Sequence, residues 1–454
     1  MRLAPVDLAP LAPLEAEPVL GEAVYAGRIA AARERMDAAG LDALLVYADR
    51  EHYANVSFLT GFDPRFEEAL LVLRPTGPPA ILCGNESLSF CETAGIAVEA
   101  VLCQSFSLPS QDRSVRARVA DGLAVAGLGG GDRVGMVGWK PIPAADAPAA
   151  RPALAVPQFV VAEAEDMVAE VVDATGILCG LDGLRALCEA DQLALHEHRA
   201  TRASQAVWRA LEALAPGRSE LEVSAAMGLV GLPLGCHVMC TSGADSVNGL
   251  ASPTDRRLGR GDRFSTAVGY WGGLCCRAGL VVAADDRALG PYLERFAVPY
   301  LGAIRAWYAS VRIGASGGEV SGAVRDALGR SDVRAMLDAG HLTHLDEWFD
   351  TPFMPGGTAI LRSGTALQCD IIPVSDRWPG YAANVEDSLA LADADLRAEL
   401  AERYPAAWRR IAARRAFMTD VLRLEIAEDL LPFSDRQACF APALLSPGTV
   451  LLEA

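Results

Sequence analysis

The stretch Asn384-Val385-Glu386-Asp387-Ser388 lies in a run, 384–391, that reads as a short β-strand carrying two adjacent acids. From His237 onward the chain is built of such pieces. Short strands are expected at 237–242, 263–269, 274–283, 365–372 and 384–391, with glycines between them and helices at about 292–312 and 317–329. Upstream, Ala200, Ala203, Val207, Ala210, Leu211 and Leu214 share one face of a long helix that Pro216-Gly217 ends. Ser219-x-x-Glu222 then fits a capping box opening the next helix. Beyond the last strand, a charged amphipathic helix is expected over about 395–425, followed by a Pro/Leu-rich tail.

The first part of the chain alternates helices and strands. Residues 22–39 carry Val24, Ile29 and Met36 at helical spacing, and Gly40 is the stop. Strands follow at 43–47, 69–73 and 80–83, which makes a mixed α/β domain. Loops are expected at 127–132 and through the Pro-rich stretch from Pro141 to Pro157. A junction falls at about 172–188. The division expected is 1–175, 176–395 and a C-terminal piece, 396–454.

Bulk properties narrow the function classes. The 454 residues suffice for two or three domains with sizeable cores. A net charge of −18 without a Lys/Arg cluster argues against nucleic acid as a partner. No run of about 18 apolar residues marks a membrane span, and the N-terminus lacks a signal-peptide core. Eleven scattered cysteines, with no zinc-type Cys-x-x-Cys pair, read as reduced thiols in the cytoplasm.

Several motifs in order resemble the pita-bread hydrolases: creatinase, Xaa-Pro dipeptidase, aminopeptidase P and methionine aminopeptidase. They are Asn55-Val56 to Gly61-Phe62, Pro216-Gly217-x-Ser219-Glu220, Thr241-Ser242-Gly243, Gly261-Asp262, Gly340-His341 and Glu386-Asp387. The resemblance spans about residues 25–395. It implies an N-terminal creatinase-type α/β domain, then a pita-bread domain (α/β plus α+β), paired into homodimers. Most such enzymes hold two metal ions with two Asp, one His and two Glu. His341, Asp370 and Glu386 match the His and Glu positions, Asp370 one methylene short. Ala267 stands where the first Asp belongs, and Leu274-Cys275-Cys276-Arg277-Ala278, where the second belongs, has no acid. The catalytic His found before Gly-Asp in relatives is also missing from 248–253.

Three readings stay open. In the first, the chain is a creatinase-like hydrolase with no metal. It cleaves a C–N bond in a small carboxylate-bearing, amino-acid-like compound. His341, Glu386, Asp370 and His237 are the acid–base candidates, and Arg277 and His344 the substrate-binding ones. In the second, His341, Asp370 and Glu386 hold one Zn, Mn or Fe ion. In the third, the domain is a binding module without turnover. Bland alternatives stand beside these. Arg277 can pair with a structural acid, and His237 can be a hydrogen-bonded strand residue. Cys275 and Cys276 can be core fillers rather than nucleophiles. Trp348 and Phe349 compete with His344-Leu345-Asp346-Glu347 for places at the pocket and can serve as its walls.

Overall fold

The computed structural model describes every residue except 65, 147–152, 244–248, 330 and 454. The chain divides into two compact units, one formed by Leu20–Ala186 and the other by Met1–Val19 with Leu187–Ala454. Strand β1 (Arg2–Pro5) belongs to the larger unit.

The smaller unit opens with α1 (Glu22–Ala38), which Gly40 leaves in the left-handed conformation at φ +63°. Then come β2 (Ala43–Ala48), α2 (Ala54–Thr60), β3 (Ala69–Leu73), β4 (Ala80–Cys83), β5 (Glu99–Leu102), α3 (Val119–Val125), β6 (Arg133–Val137), α4 (Gln158–Glu165) and β7 (Glu170–Asp173). The sheet order is β5-β4-β3-β2-β6-β7, mixed parallel and antiparallel. Every residue of β2 and β3 is buried, so these strands read as unbroken apolar runs rather than alternating ones. The turn expected at 127–132 is present, while part of the Pro-rich stretch lies outside the described residues.

The larger unit begins its main body with α5 (Ala190–Glu212) and α6 (Glu220–Ala225), and the Ser219–Glu222 capping box closes as expected. β8 (Met239–Ser242), β9 (Arg263–Tyr270) and β10 (Gly273–Leu280) lead to the helices α7 (Leu289–Tyr292), α8 (Val298–Ser310) and α9 (Gly317–Leu328). After β11 (Arg334–Ala335) come β12 (His341–Leu342), β13 (Ala366–Cys369), β14 (Pro373–Val374) and β15 (Asn384–Leu391). The central sheet runs β12-β13-β15-β10-β9-β8, all antiparallel.

The single helix expected over 395–425 is two, α10 (Ala394–Arg403) and α11 (Pro405–Ala416). Pro405 has no N–H to continue α10 and starts α11 instead. These residues do not form a separate piece. β16 (Leu430–Pro432) pairs with β15, and β17 (Thr449–Leu452) pairs with β1. Arg410 and Arg414 of α11 both bind Glu197 of α5 at 2.5 Å, and Arg414 also binds Asp435 at 2.8 Å. No helix among the described residues is long and apolar enough to cross a membrane.

The N-terminal arm is tied to α5 by charge. Glu17 accepts from Arg199 at 2.9 Å and lies 3.6 Å from His198. Burial alone would raise the Glu17 pKa, yet His198 and Arg199 hold it at about 2, against 4.5 in the unfolded chain. A depressed folded pKa means the stabilisation is complete above pH 4.5 and drains away as pH falls toward 2. Discounted for solvent screening, about 1–2 kcal/mol is at stake. Comparing denaturant unfolding at about pH 6 and about pH 3, Glu17→Gln should lose less stability than the wild type.

Candidate functional site

Register places the site on one face of the central sheet. Side chains alternate along a strand, so Asn384, Glu386 and Ser388 of β15 point one way and Val385 and Asp387 the other. Pairing carries the row across the strands, since Glu386 lies opposite Cys276, Cys276 opposite Ala267, and Ala267 opposite Met239. On the same side, Gln368 pairs with Ser388, and Asp370 follows two residues later. This face floors a cavity of about 740 Å³, whose lining includes Glu347, Asp370, Asn384 and Glu386.

His341 is placed by Gly340. That glycine has φ +104°, and a Cβ on it would fall 2.4 Å from the Gln368 carbonyl oxygen, so only glycine lets β12 lie this close to β13. The His341 ring is fully buried and stacks on Trp348, with ring centroids 4.2 Å apart. Its Nε2 lies 3.2 Å from Glu347 Oε1 and 3.9 Å from Glu386 Oε1. Its Nδ1 is 3.1 Å from the Leu342 carbonyl oxygen. Leu342 and Phe349 hydrogen-bond across the intervening loop, which folds Glu347 and Trp348 back toward His341.

Gln368 orients Glu386. The Ser388 hydroxyl lies 2.5 Å from Gln368 Oε1, which leaves the Gln368 amide to donate to Glu386 Oε1 at 3.2 Å. Asp370 Oδ1 and Asn384 Oδ1 are buried with no hydrogen-bond partner. One donor atom each from His341, Asp370 and Glu386 lie within 4.8 Å of one another.

Charge is concentrated where solvation is poorest. Burial disfavours the His341 imidazolium, but Glu347, Glu386 and Asp370 outweigh it and hold its pKa well above the usual value. Burial, with Asp370 adding to it, pushes Glu386 well above the usual carboxylate range. Burial likewise raises Asp370, to about 6, against the pull of His341. The cluster therefore stores protons that exposed carboxylates would have released. Cys276 is pushed well up by burial, so it stays a thiol.

A profile of the Creatinase/Prolidase N-terminal domain matches residues 28–99. Solved structures align over most of the chain. The dipeptidase PepE of Mycobacterium ulcerans is 22% identical, with 82% of this chain and 94% of that one covered and a TM-score of 0.59. For the prolidase of Pyrococcus horikoshii the identity is 16%, the coverage 81% and 95%, and the TM-score 0.61. The Xaa-Pro dipeptidase of Bacillus anthracis gives 16%, 82% and 96%, and 0.60. The chain has the creatinase/prolidase fold. Among curated proteins, no sequence matches it.

Within this creatinase/prolidase fold, His341, Asp370 and Glu386 come together, and the other expected site residues do not join them. Arg277 points to the opposite face of the sheet, where its Nη2 donates to both Asp387 oxygens at 2.9 Å. Burial works against the Arg277 cation, but Asp387 outweighs it and raises the guanidinium pKa. Arg277 therefore cannot clamp a ligand in the cavity. His237 is exposed, with its Nε2 2.6 Å from the Leu250 carbonyl oxygen. His344 is buried edge-on against His196 and does not line the cavity. Trp348 does form a wall, as the alternative reading had it. Glu347, which the sequence places near the pocket only in a loose register, takes its place beside His341, while Gln368 and Asn384 carry no site expectation. The last two could have been singled out, since each sits two residues from an expected site acid on a strand.

Proposed function

We propose that this chain is a hydrolase of C–N bonds in a small substrate, and that it works without a metal pair. The carrying observation is the group formed by Glu347, Asp370 and Glu386, which line the cavity, with the buried His341 packed against Glu347 and Glu386. A pair of dications about 3.5–4 Å apart needs bridging carboxylates. On the floor beside Glu386 the neighbours are instead Cys276 and Ala267. No step is therefore routed through two metals.

In this mechanism Asp370, whose Oδ1 has no partner, takes a proton from a water as that water attacks the electrophilic carbon. His341, held by Glu347 and Glu386, delivers a proton to the departing nitrogen. The C–N bond breaks to give an amine and the hydroxylated fragment. Glu386 orients His341, and Gln368 orients Glu386. The same reading has a homodimer acting in the cytoplasm on a small molecule, with neither nucleic acid nor membrane involved.

The spacing of His341, Asp370 and Glu386 favours one second reading, because the trio also fits a single divalent ion. Such an ion would activate a bound water. Metal content of untagged protein, measured beside hydrolysis of a panel of dipeptides and small N-substituted amides, separates the readings. Turnover that survives chelation and dialysis is the expected result. Turnover lost with one equivalent of metal, and restored by adding it back, would replace the first reading with the second. Binding with no turnover would leave a binding module.

A further inference from the structure

We infer that the cavity selects ligands with an alkylammonium end, whose N–H groups meet Asp370 and Asn384 and whose alkyl arm lies along Cys276, Ala267 and Met239. This deepens the functional reading above and rests on it only in taking the cavity as the ligand site. The first observation is the pair of orphaned acceptors. Asp370 Oδ1 and Asn384 Oδ1 are buried, in residues 6% and 7% exposed, without hydrogen-bond partners. A buried acceptor left unmade is costly, and a ligand that donates hydrogen bonds removes that cost. Glu386 and Glu347 also line the cavity, and neither can offer a ligand a positive charge. The cationic side chains of the lining are already turned to other groups. Arg263 donates to the Gly243 and Pro379 carbonyl oxygens, and Arg334 pairs with Asp376 at 3.8 Å. The site thus favours an ammonium over a carboxylate.

The second observation is the floor. From Glu386 the register runs through Cys276 and Ala267 to Met239, one residue per strand. Adjacent strands lie about 4.8 Å apart, so an apolar trough of roughly 10 Å or more leads away from the acids. Cys276 and Ala267 are small and buried, and Leu274 packs with them. A straight alkyl chain fits such a trough and desolvates both surfaces.

The test uses the full-length, chelator-treated protein in isothermal titration calorimetry. The probes are n-butylamine, n-hexylamine and n-octylamine, with hexanoate and hexanol as controls. Affinity for the amines should rise about threefold to fourfold per methylene, and both controls should bind at least about tenfold more weakly. Ala267→Asp should flatten the chain-length series from n-butylamine to n-octylamine, because a carboxylate then interrupts the apolar floor. Met239→Ser, at the half-buried edge strand, should flatten only the far end of the series, which covers the case in which Ala267→Asp does not fold. Hexanoate binding as tightly as hexylamine, a flat wild-type series, or zinc binding that no amine can displace would each overturn the inference. The readout is binding alone. Amines that bind without any substrate being hydrolysed would sink the hydrolase reading and keep this one. Turnover with no amine binding would do the reverse.

Discussion

Arg277→Ala is expected to destabilise the larger unit by about 3–5 kcal/mol and to leave ligand affinity in the cavity unchanged. Arg277 and Asp387 are 3% and 0% exposed, and the guanidinium is the carboxylate's counter-charge. Deleting the arginine strands a buried anion beneath α5, where the Arg277 guanidinium also lies over the Trp208 ring at 5.7 Å. Asp387 keeps other donors, namely the backbone N–H of Ala438 at 2.8 Å, the Cys275 thiol at 3.6 Å and the Ser434 hydroxyl, but these neutral groups are too little to replace a full charge. Removing both charges together with Arg277→Met and Asp387→Leu should cost clearly less than the single change, because no ion is then left unpaired. Chemical denaturation checks the stabilities and calorimetry the affinity. An Arg277→Ala protein of near wild-type stability that binds weakly would restore Arg277 to the site.

This pair also shows what the sequence could and could not say. Strands β9, β10 and β15 were legible because apolar runs and glycine turns mark them, and α5 because its apolar face repeats at helical spacing. Gly340-His341 and Glu386 were legible as a motif, and the structure puts His341 and Glu386 side by side. The face of Arg277 was not legible. It depends on where β10 sits against β15, and a shift of one residue would have turned Arg277 toward the cavity. Glu347 was hard to place for another reason. It lies in a loop, which carries no periodicity, and only the return of Phe349 to Leu342 brings it to His341. Pro405 is the opposite case, a plain break signal inside an amphipathic run that tertiary structure respects.

The second large effect concerns turnover. With a hydrolysed substrate in hand, Glu386→Gln and His341→Gln should each reduce kcat/KM by about 10²–10⁴-fold. The double variant should be little worse than either alone. Non-additivity follows from the geometry, because Glu386 acts through His341 Nε2, 3.9 Å away, and has no separate task once the imidazole is gone. Glu386→Gln is nearly isosteric and keeps an acceptor for the Gln368 amide, so the fold should survive. Glu347→Gln should act more mildly and mainly through the pH profile, since Glu347 stands 3.2 Å from the same nitrogen and supports the imidazolium charge. Its sign is fixed by that role. Loss of a neighbouring anion lowers the His341 pKa, so the alkaline limb of activity should move to lower pH. If the two single losses multiply in the double variant, Glu386 and His341 act independently, and the acid role assigned to their pairing fails.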